Sequence, residues 1–344
     1  MSGPTGAVGV VGAVAIGRNE GNRLGACLRS LIGGTDRVVY VDSGSTDNSR
    51  DLARSLGVEV VELDLTVPFT AARARNEGLA RLREILPSLE FVQFVDGDCE
   101  VRPDWIEMAR AALETDERLA VVCGRRRERF PEASIYNTLT DMEWDTPIGP
   151  SQSCGGDALF RAGAFADVDG YDPSVIAGEE PEMCFRLRAK GWTIRRLDAE
   201  MTLHDADMDS FGQWWKRAVR AGHAAAEGAW MHGRSPERFN VKRTLRPVFW
   251  AGLLPLIALA AAYWTYGLSV LVLFGIYGLQ YFRLYARQRN RGKTRRIARL
   301  GSVFTLLTQF ALLVGVLTFV KNRLLGRRTR IIEYKGAKAG ASNA

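Results

Sequence analysis

The chain has 344 residues, a formal net charge of +7 and five cysteines. That length suits one large α/β domain with an appendage, or two domains. The cysteines are odd in number and form no Cys-x-x-Cys pair, so they read as reduced thiols of a cytosolic domain with no zinc site.

The net charge hides a split. Residues 231–344 carry 20 Lys/Arg against 2 acids, and residues 1–230 carry 26 against 37. A basic tail on an acidic body points to an anionic surface, either nucleic acid or a bilayer. The tail also holds two uncharged runs, Val248–Phe282 and Leu300–Val320, of 35 and 21 residues. Both are long enough to cross a hydrocarbon core as helices. Arg283–Arg299, with eight cations, lies between them, and Lys321-Asn322-Arg323-Leu324-Leu325-Gly326-Arg327-Arg328 follows. Basic juxtamembrane segments favour the cytoplasmic side and anionic headgroups. The sequence therefore selects the bilayer and excludes nucleic acid as the partner. It divides into a body at 1–230 and a membrane-associated region at 231–344. Val248–Phe282 is either a hairpin bending near Tyr263–Gly267 or one long tilted span.

Met1–Gly6 is small and polar, and the apolar run after it stops at Arg18-Asn19-Glu20, which is no signal peptide. Val8–Ile16 is Val-rich and predicts a buried strand. It ends in Gly17-Arg18-Asn19-Glu20, with Asn19 a plausible cap for the next helix. That helix is marked by Leu24, Cys27, Leu28, Leu31 and Ile32 at helical spacing. Arg37–Asp42 is a second strand closing on an acid. A polar loop, Ser43-Gly44-Ser45-Thr46-Asp47, leads into a helix to Leu56, with Thr46 or Asp47 as its cap. Val58–Leu63 is a third strand, and Phe69–Leu86 a helix carrying Arg73, Arg75 and Asn76. Phe91–Val95 is a fourth strand, opening into Asp96-Gly97-Asp98.

The β-α-β-α-β-α-β order predicts a mostly parallel sheet with helices on both faces. Ligands bind beyond the carboxyl ends of such strands. Asn19-Glu20, Asp42 and Asp96/Asp98 are expected to meet at that edge. Two aspartates spaced by a glycine suit one hard divalent cation completed by substrate phosphates. The G-x-G-x-x-G fingerprint is missing from the first turn, and no G-x-x-x-x-G-K-[ST] occurs, which excludes Rossmann and Walker-type nucleotide sites.

Further on, Pro103–Glu114 predicts a helix and Leu119–Gly124 a strand, with Arg125–Arg129 as a solvated edge. Cys154-Gly155-Gly156-Asp157 is a plain turn or a place where backbone approaches a ligand closely. Gly178-Glu179-Glu180-Pro181-Glu182 leads a helix. Proline at its first position leaves Glu179 and Glu180 outside it, where a carboxylate can serve as general base, although acids also suit a helix N-terminus. Thr193–Leu197 is a strand. His204 is either structural or a contact for metal or diphosphate. Phe211–Trp230 predicts an amphipathic helix bearing Trp214, Trp215, Arg217 and Arg220.

Taken together, Ile16-Gly17-Arg18-Asn19-Glu20, Val41-Asp42-Ser43-Gly44-Ser45-Thr46-Asp47, Ala74-Arg75-Asn76-Glu77-Gly78 and Asp96-Gly97-Asp98 resemble the family 2 glycosyltransferases. Glu179-Glu180-Pro181-Glu182-Met183-Cys184-Phe185-Arg186 is similar to that family's acid-rich catalytic segment, and the resemblance runs from Val8 to Trp192. It implies the GT-A nucleotide-diphospho-sugar transferase fold and an inverting transfer from a nucleotide-diphosphate sugar, assisted by Mg²⁺ or Mn²⁺. By residue, it implies Asp42 and Arg75 at the nucleotide, Asp96 on the ribose side and Asp98 on the metal. It places Glu180 where the family has its base, usually an aspartate, with Glu179 as the other choice. Asn19 and Glu20 belong to the donor-binding set, and Asp96 and His204 join Asp98 as metal candidates. The tail would bring the site to a lipid-linked or saccharide acceptor in surface polysaccharide assembly, on the cytoplasmic face of the inner membrane. A sugar-1-phosphate nucleotidyltransferase would want a Gly-rich basic loop where Gly-Arg-Asn-Glu stands. A catalytically silent membrane scaffold would not need the acids.

Overall fold

The computed structural model describes residues 9–67 and 69–326. Met1–Val8 and residues 327–344, with Arg327 and Arg328 of the basic tail, lie outside the described residues. Packing divides the chain into two units. One is Met1–Arg129 with Asp141–Ala206, and the other is Phe130–Thr140 with Asp207–Ala344.

The first unit is built on a nine-stranded sheet. Its parallel half contains β1 (Val11–Gly17), β2 (Arg37–Asp42), β3 (Glu59–Glu62) and β4 (Phe91–Asp96), in the order β3-β2-β1-β4. Val, Ile and aromatic side chains fill both faces of β1, β2 and β4, as a parallel sheet covered by helices requires, whereas β3 at the edge is only half-buried. The sheet continues through β8 (Ala158–Arg161), β6 (Leu119–Glu128), β9 (Thr193–His204) and β5 (Cys99–Val101), and β7 (Gly149–Pro150) pairs with β9. β8 runs antiparallel to both β4 and β6, so the expected parallel sheet becomes mixed at this point. Helices α1 (Asn22–Ile32), α2 (Ser49–Ser55), α3 (Ala71–Ile85), α4 (Trp105–Thr115), α5 (Ile135–Trp144), α6 (Ala162–Asp167) and α7 (Glu179–Ala189) connect the strands.

Four local expectations are corrected. Asn19 does not cap α1. Gly21 holds that position, and Asn19 sits at φ 56° with its side chain turned to the loop after β2. Neither Thr46 nor Asp47 is the cap of α2. Asn48 holds that position, and Asp47 accepts the Ser49 N–H at 3.0 Å. Arg125–Glu128 is not a solvated edge, because β6 runs through it and buries Arg125 and Glu128. Glu179 and Glu180 are not outside their helix. Gly178 caps α7 at φ 81°, and both glutamates lie in its first turn.

The core of this unit includes one polar contact that its packing depends on. Gln93, at the centre of β4, is fully buried and accepts the Trp105 indole N–H at 2.8 Å. Its own amide donates to the Phe94 carbonyl. Trp105 is itself fully buried, so its N–H has no access to water.

The second unit contains α8 (Phe211–His232), α9 (Val241–Pro247), a π-helical turn (Val248–Leu253), α10 (Leu254–Ala261), α11 (Leu268–Asn290) and α12 (Arg295–Leu324). Ser210 and Gln213 form a reciprocal capping box at the start of α8. The wide turn lies between Pro247 and Pro255, where the proline rings oppose a regular α ladder. Helix breaks at Tyr266 (φ 50°) and Gly267 (φ 84°), with the Gly267 N–H on the Ala262 carbonyl, make Val248–Phe282 a hairpin rather than one long span. Val241–Ala261, Leu268–Asn290 and Arg295–Leu324 are each long and apolar enough to cross a membrane. Tyr263, Trp264 and Tyr266 at the hairpin tip are almost wholly exposed, as are Leu256, Leu259 and Leu271 along its legs to a lesser degree.

Replacing Gln93 by Leu leaves the Trp105 N–H buried without a partner. This should destabilise the protein by about 1–3 kcal/mol in denaturant titration. Gln93→Glu, which keeps an acceptor but buries a charge, should not rescue it.

Candidate active site

Strand register puts three strand ends level, two of them closing on an acid. Ile16 pairs with Val41 on one side and Asp96 on the other, and Gly17 pairs with Asp42. Asp42 and Asp96 therefore flank the end of β1, as expected from the sequence. A second pairing adds the histidine. Cys99 of β5 is opposite His204 of β9, which brings Asp98 beside the imidazole, with Asp98 Oδ1 3.3 Å from His204 Nε2. Both side chains are buried, and His204 Nδ1 has no hydrogen-bond partner. The Trp144 ring packs edge-on against the imidazole at 4.6 Å.

Arg75, from α3, lies 2% exposed beneath this edge. One arm of its guanidinium donates to Asp96 Oδ1 and the other to Glu179 Oε1, both at 2.8 Å. Burial works against its charge, but the neighbouring Asp96 carboxylate and then Tyr171 and Glu179 outweigh it and hold the pKa above the ordinary value. Gly156 passes close by. A Cβ there would lie 2.7 Å from Arg75 Nη2 and 3.3 Å from Asp96 Oδ2, so the backbone at Gly156 runs close against these two side chains.

Asp42 is placed at the edge but is occupied by its own turn. It accepts the Gly44 and Ser45 N–H groups at 3.0 and 2.8 Å and the Tyr40 hydroxyl at 3.1 Å. Asn19 completes that loop by accepting the Thr46 N–H at 2.7 Å, and its own N–H donates to Ser45 Oγ at 3.0 Å. Glu20 forms an ion pair with Arg23 at 2.9 Å, and its side chain also lies beside Gly97.

Of the three glutamates of α7, Glu182 pairs with Arg186, and Glu179 and Glu180 are not equivalent. Glu179 is committed to Arg75. Glu180, 4% exposed, accepts three neutral donors on Oε1: the Cys154 N–H at 2.7 Å, the Cys154 thiol at 3.1 Å and the Cys184 thiol at 2.9 Å. The sulfur atoms of this pair are 3.8 Å apart. Burial pushes the Cys184 thiol up to about 11 and the Cys154 thiol well above its ordinary range, so both remain protonated donors at neutral pH.

Sequence reasoning missed Asp157 and Arg126. Asp157 is fully buried. It accepts the Asp96 N–H at 3.3 Å and the Thr202 hydroxyl at 2.9 Å, and forms an ion pair with Arg126 at 2.8 Å. Arg126 stacks over the Trp144 ring at 5.3 Å. An acid following Gly-Gly directly before an apolar strand, and an arginine run inside a strand, were the available signals.

Asp98, in the turn before β5, and His204, at the end of β9, supply a carboxylate oxygen and an imidazole nitrogen, with Asp96 two residues from Asp98. One carboxylate and one imidazole are a donor set that suits a divalent cation such as Mg²⁺ or Mn²⁺. Cys99, whose thiol is pushed well up by burial and points at Asp98 Oδ1 from 3.6 Å, stays protonated and is a poor ligand.

Residues 14–166 match the family model described as Glycosyl transferase family 2. The chain is 23% identical over 252 residues to glycosyltransferase AglE of Haloferax volcanii, covering 69% of this chain and 79% of that protein. It is 27% identical over 231 residues to the pre-mycofactocin glycosyltransferase of Mycobacterium tuberculosis, covering 62% of this chain and 46% of that one, so it spans under half of the latter's length. Among solved structures, the mannosyltransferase PcManGT from Pyrobaculum calidifontis, in complex with GDP-Man and Mn²⁺, shares the fold. Its TM-score is 0.61 at 18% identity, over 91% of this chain and 87% of that one.

Asp157→Ala leaves Arg126 charged and buried without its partner. Chemical denaturation should show a loss of about 3–5 kcal/mol. The buried thiols make a second outcome testable. Above the ordinary thiol pKa of 9.0 the unfolded chain releases protons that the native chain keeps on Cys123, which is raised to about 12, and on Cys184. Stability should therefore fall as pH rises from about 9 towards 11, and Cys184→Ser should fall less steeply in a Tm series over that range.

Proposed function

We propose that this chain is a family 2 glycosyltransferase that performs an inverting, metal-dependent transfer of a sugar from a nucleotide-diphosphate sugar to an acceptor hydroxyl. The observation that supports this reading best is the convergence of Asp98 with His204 at one edge of the sheet, beside Asp96, Arg75 and the α7 glutamates.

In this reading Asp98 and His204 hold the cation, with Asp96 beside it, and Asn19, Glu20 and Asp42 shape the donor loop. A cation held there would supply positive charge to offset that on the departing diphosphate. Arg75 keeps Asp96 and Glu179 in fixed positions. Glu180 is the general base, because it alone of the α7 pair carries no guanidinium on its carboxylate among the described contacts. It takes the proton of the acceptor hydroxyl, the acceptor oxygen forms a bond to the anomeric carbon, and the bond from that carbon to the diphosphate oxygen breaks. One displacement with one base inverts the anomeric centre.

The three apolar helices support membrane association. We take the acceptor to be a lipid-linked saccharide in surface polysaccharide assembly, and the location to be the inner membrane with the catalytic unit facing the cytoplasm.

The test is nucleotide release from UDP-, GDP- and dTDP-sugars by purified protein in detergent with Mn²⁺ or Mg²⁺, with and without bacterial lipid extract. One donor should be turned over only when metal is present, and faster with lipid. Glu180→Gln should lower kcat by about 10²–10⁴-fold, and Asp98→Asn should abolish the response to metal. Full activity in EDTA, or an unaltered Asp98→Asn enzyme, contradicts the metal assignment. Unaltered Glu180→Gln alongside an inactive Glu179→Gln moves the base to Glu179.

A further inference from the structure

The third apolar helix is not arranged like the first two. Near the middle of α12, Leu313 lies against Gly252, and the Phe310 ring is 6.4 Å from Tyr277, which in turn is 6.2 Å from Trp250. The hairpin legs therefore meet α12 at its centre. From there they separate. The first leg leads back to Asn240, whose side chain packs on Gly228 of α8. Two residues on, the Trp230 ring carries Arg323 of α12 at 5.0 Å. That foot of the hairpin lies at the C-terminal end of α12. The second leg leads to Asn290, and only Arg291–Thr294 separates it from Arg295. That foot lies at the N-terminal end of α12.

α11 packs antiparallel beside the N-terminal half of α12, with Tyr277 at Phe310 and four residues between Asn290 and Arg295, while the first leg starts at the C-terminal end, so the two feet of the hairpin lie at the two ends of α12. Both feet of a hairpin are on one side of a bilayer, so both ends of α12 are on that side as well.

Charge points the same way. α8 runs beside α12 in the same direction, with Trp214 on Phe304 at 4.8 Å and His223 on Phe319 at 5.3 Å. Lys216, Arg217 and Arg220 are thus level with the uncharged middle of α12. Cations at the depth of a spanning helix are costly, whereas at the surface they meet headgroup phosphates. The exposed strip of α12, Val303, Leu307, Phe310, Val314 and Leu317, has the three-and-four spacing of a single apolar face. A third span would also carry Lys321 and Arg323 to the side opposite the eight cations of Arg283–Arg299, against the usual distribution.

We propose that α12 is an in-plane helix seated at the headgroup boundary of an anionic bilayer. The uncharged hairpin Val248–Phe282 is then the part of the described residues that enters the hydrocarbon, and Lys321–Gly326 stays on the side of Arg291–Thr294. This rests on the membrane association proposed above.

Flotation of the full chain with phosphatidylglycerol–phosphatidylethanolamine vesicles tests that association first, and a chain that stays at the bottom of the gradient overturns both readings. For the helix itself, Lys293→Cys and Asn322→Cys are labelled with an impermeant maleimide in sealed spheroplasts and in inverted membrane vesicles, against the native-thiol background. Both positions should be protected in one preparation and labelled in the other, together. Labelling of the two from opposite sides overturns the in-plane helix while leaving the membrane reading intact. A bimane probe at Val314→Cys supplies an independent readout. Lipids with a nitroxide high on the acyl chain should quench it several-fold more than lipids with one near the chain end, and the reverse order indicates a spanning α12.

Discussion

The charge on Arg75 is the constraint that the candidate site is arranged around. A guanidinium 2% exposed has lost most of its water, and only fixed carboxylates can replace it. Asp96 and Glu179 do so from two different elements, the end of β4 and the start of α7. The same two contacts that keep the arginine charged set the distance between the strand carrying the aspartates and the helix carrying the glutamates. Once Arg75 has taken Glu179, the neighbouring Glu180 is left to neutral donors, and the two acids acquire different chemistry from one local sequence.

A second buried pair supports the first from below. Asp157 receives the backbone of Asp96 and the charge of Arg126, and Arg126 lies on the tryptophan that also packs against His204. Through these contacts the metal candidates and the donor-side acids share one packed layer. That layer explains why two of the three arginines of β6 are drawn inward, Arg125 to Asp141 and Arg126 to Asp157, while Arg127 stays exposed.

Much of this was legible in the sequence because it rests on short-range rules. Apolar runs of strand length ended in acids, and parallel pairing brought those ends level, so Asp42 and Asp96 were foreseeable as neighbours. The hairpin bend near Tyr263–Gly267 was one of two readings that the uncharged run left open, since length and hydropathy alone fit a long tilted span as well. What could not be read depended on long-range register. Nothing local in Leu203-His204-Asp205 says that Cys99 will be its cross-strand partner, and nothing local in Arg125–Arg129 says that acids on distant segments will neutralise it. Asn19 looked like a cap because its neighbours read as a helix start. Its left-handed backbone instead turns the amide towards the loop after β2, a contact across 27 positions in sequence.

The π-helical turn at Val248–Leu253 has a consequence for the hairpin beyond it. A wide turn holds one residue more than an α turn, and each residue of a helix is worth about 100° of rotation. Everything from Leu254 to the aromatic tip is therefore phased about 100° away from where an uninterrupted α-helix starting at Val241 would aim it. Deleting one residue inside Val248–Leu253 would let the ladder close as a plain α-helix and swing Tyr263, Trp264 and Tyr266 back through that angle. Composition and hydropathy would hardly change, so a one-residue gap in this stretch alters the direction of the hairpin's tip without altering its affinity for lipid.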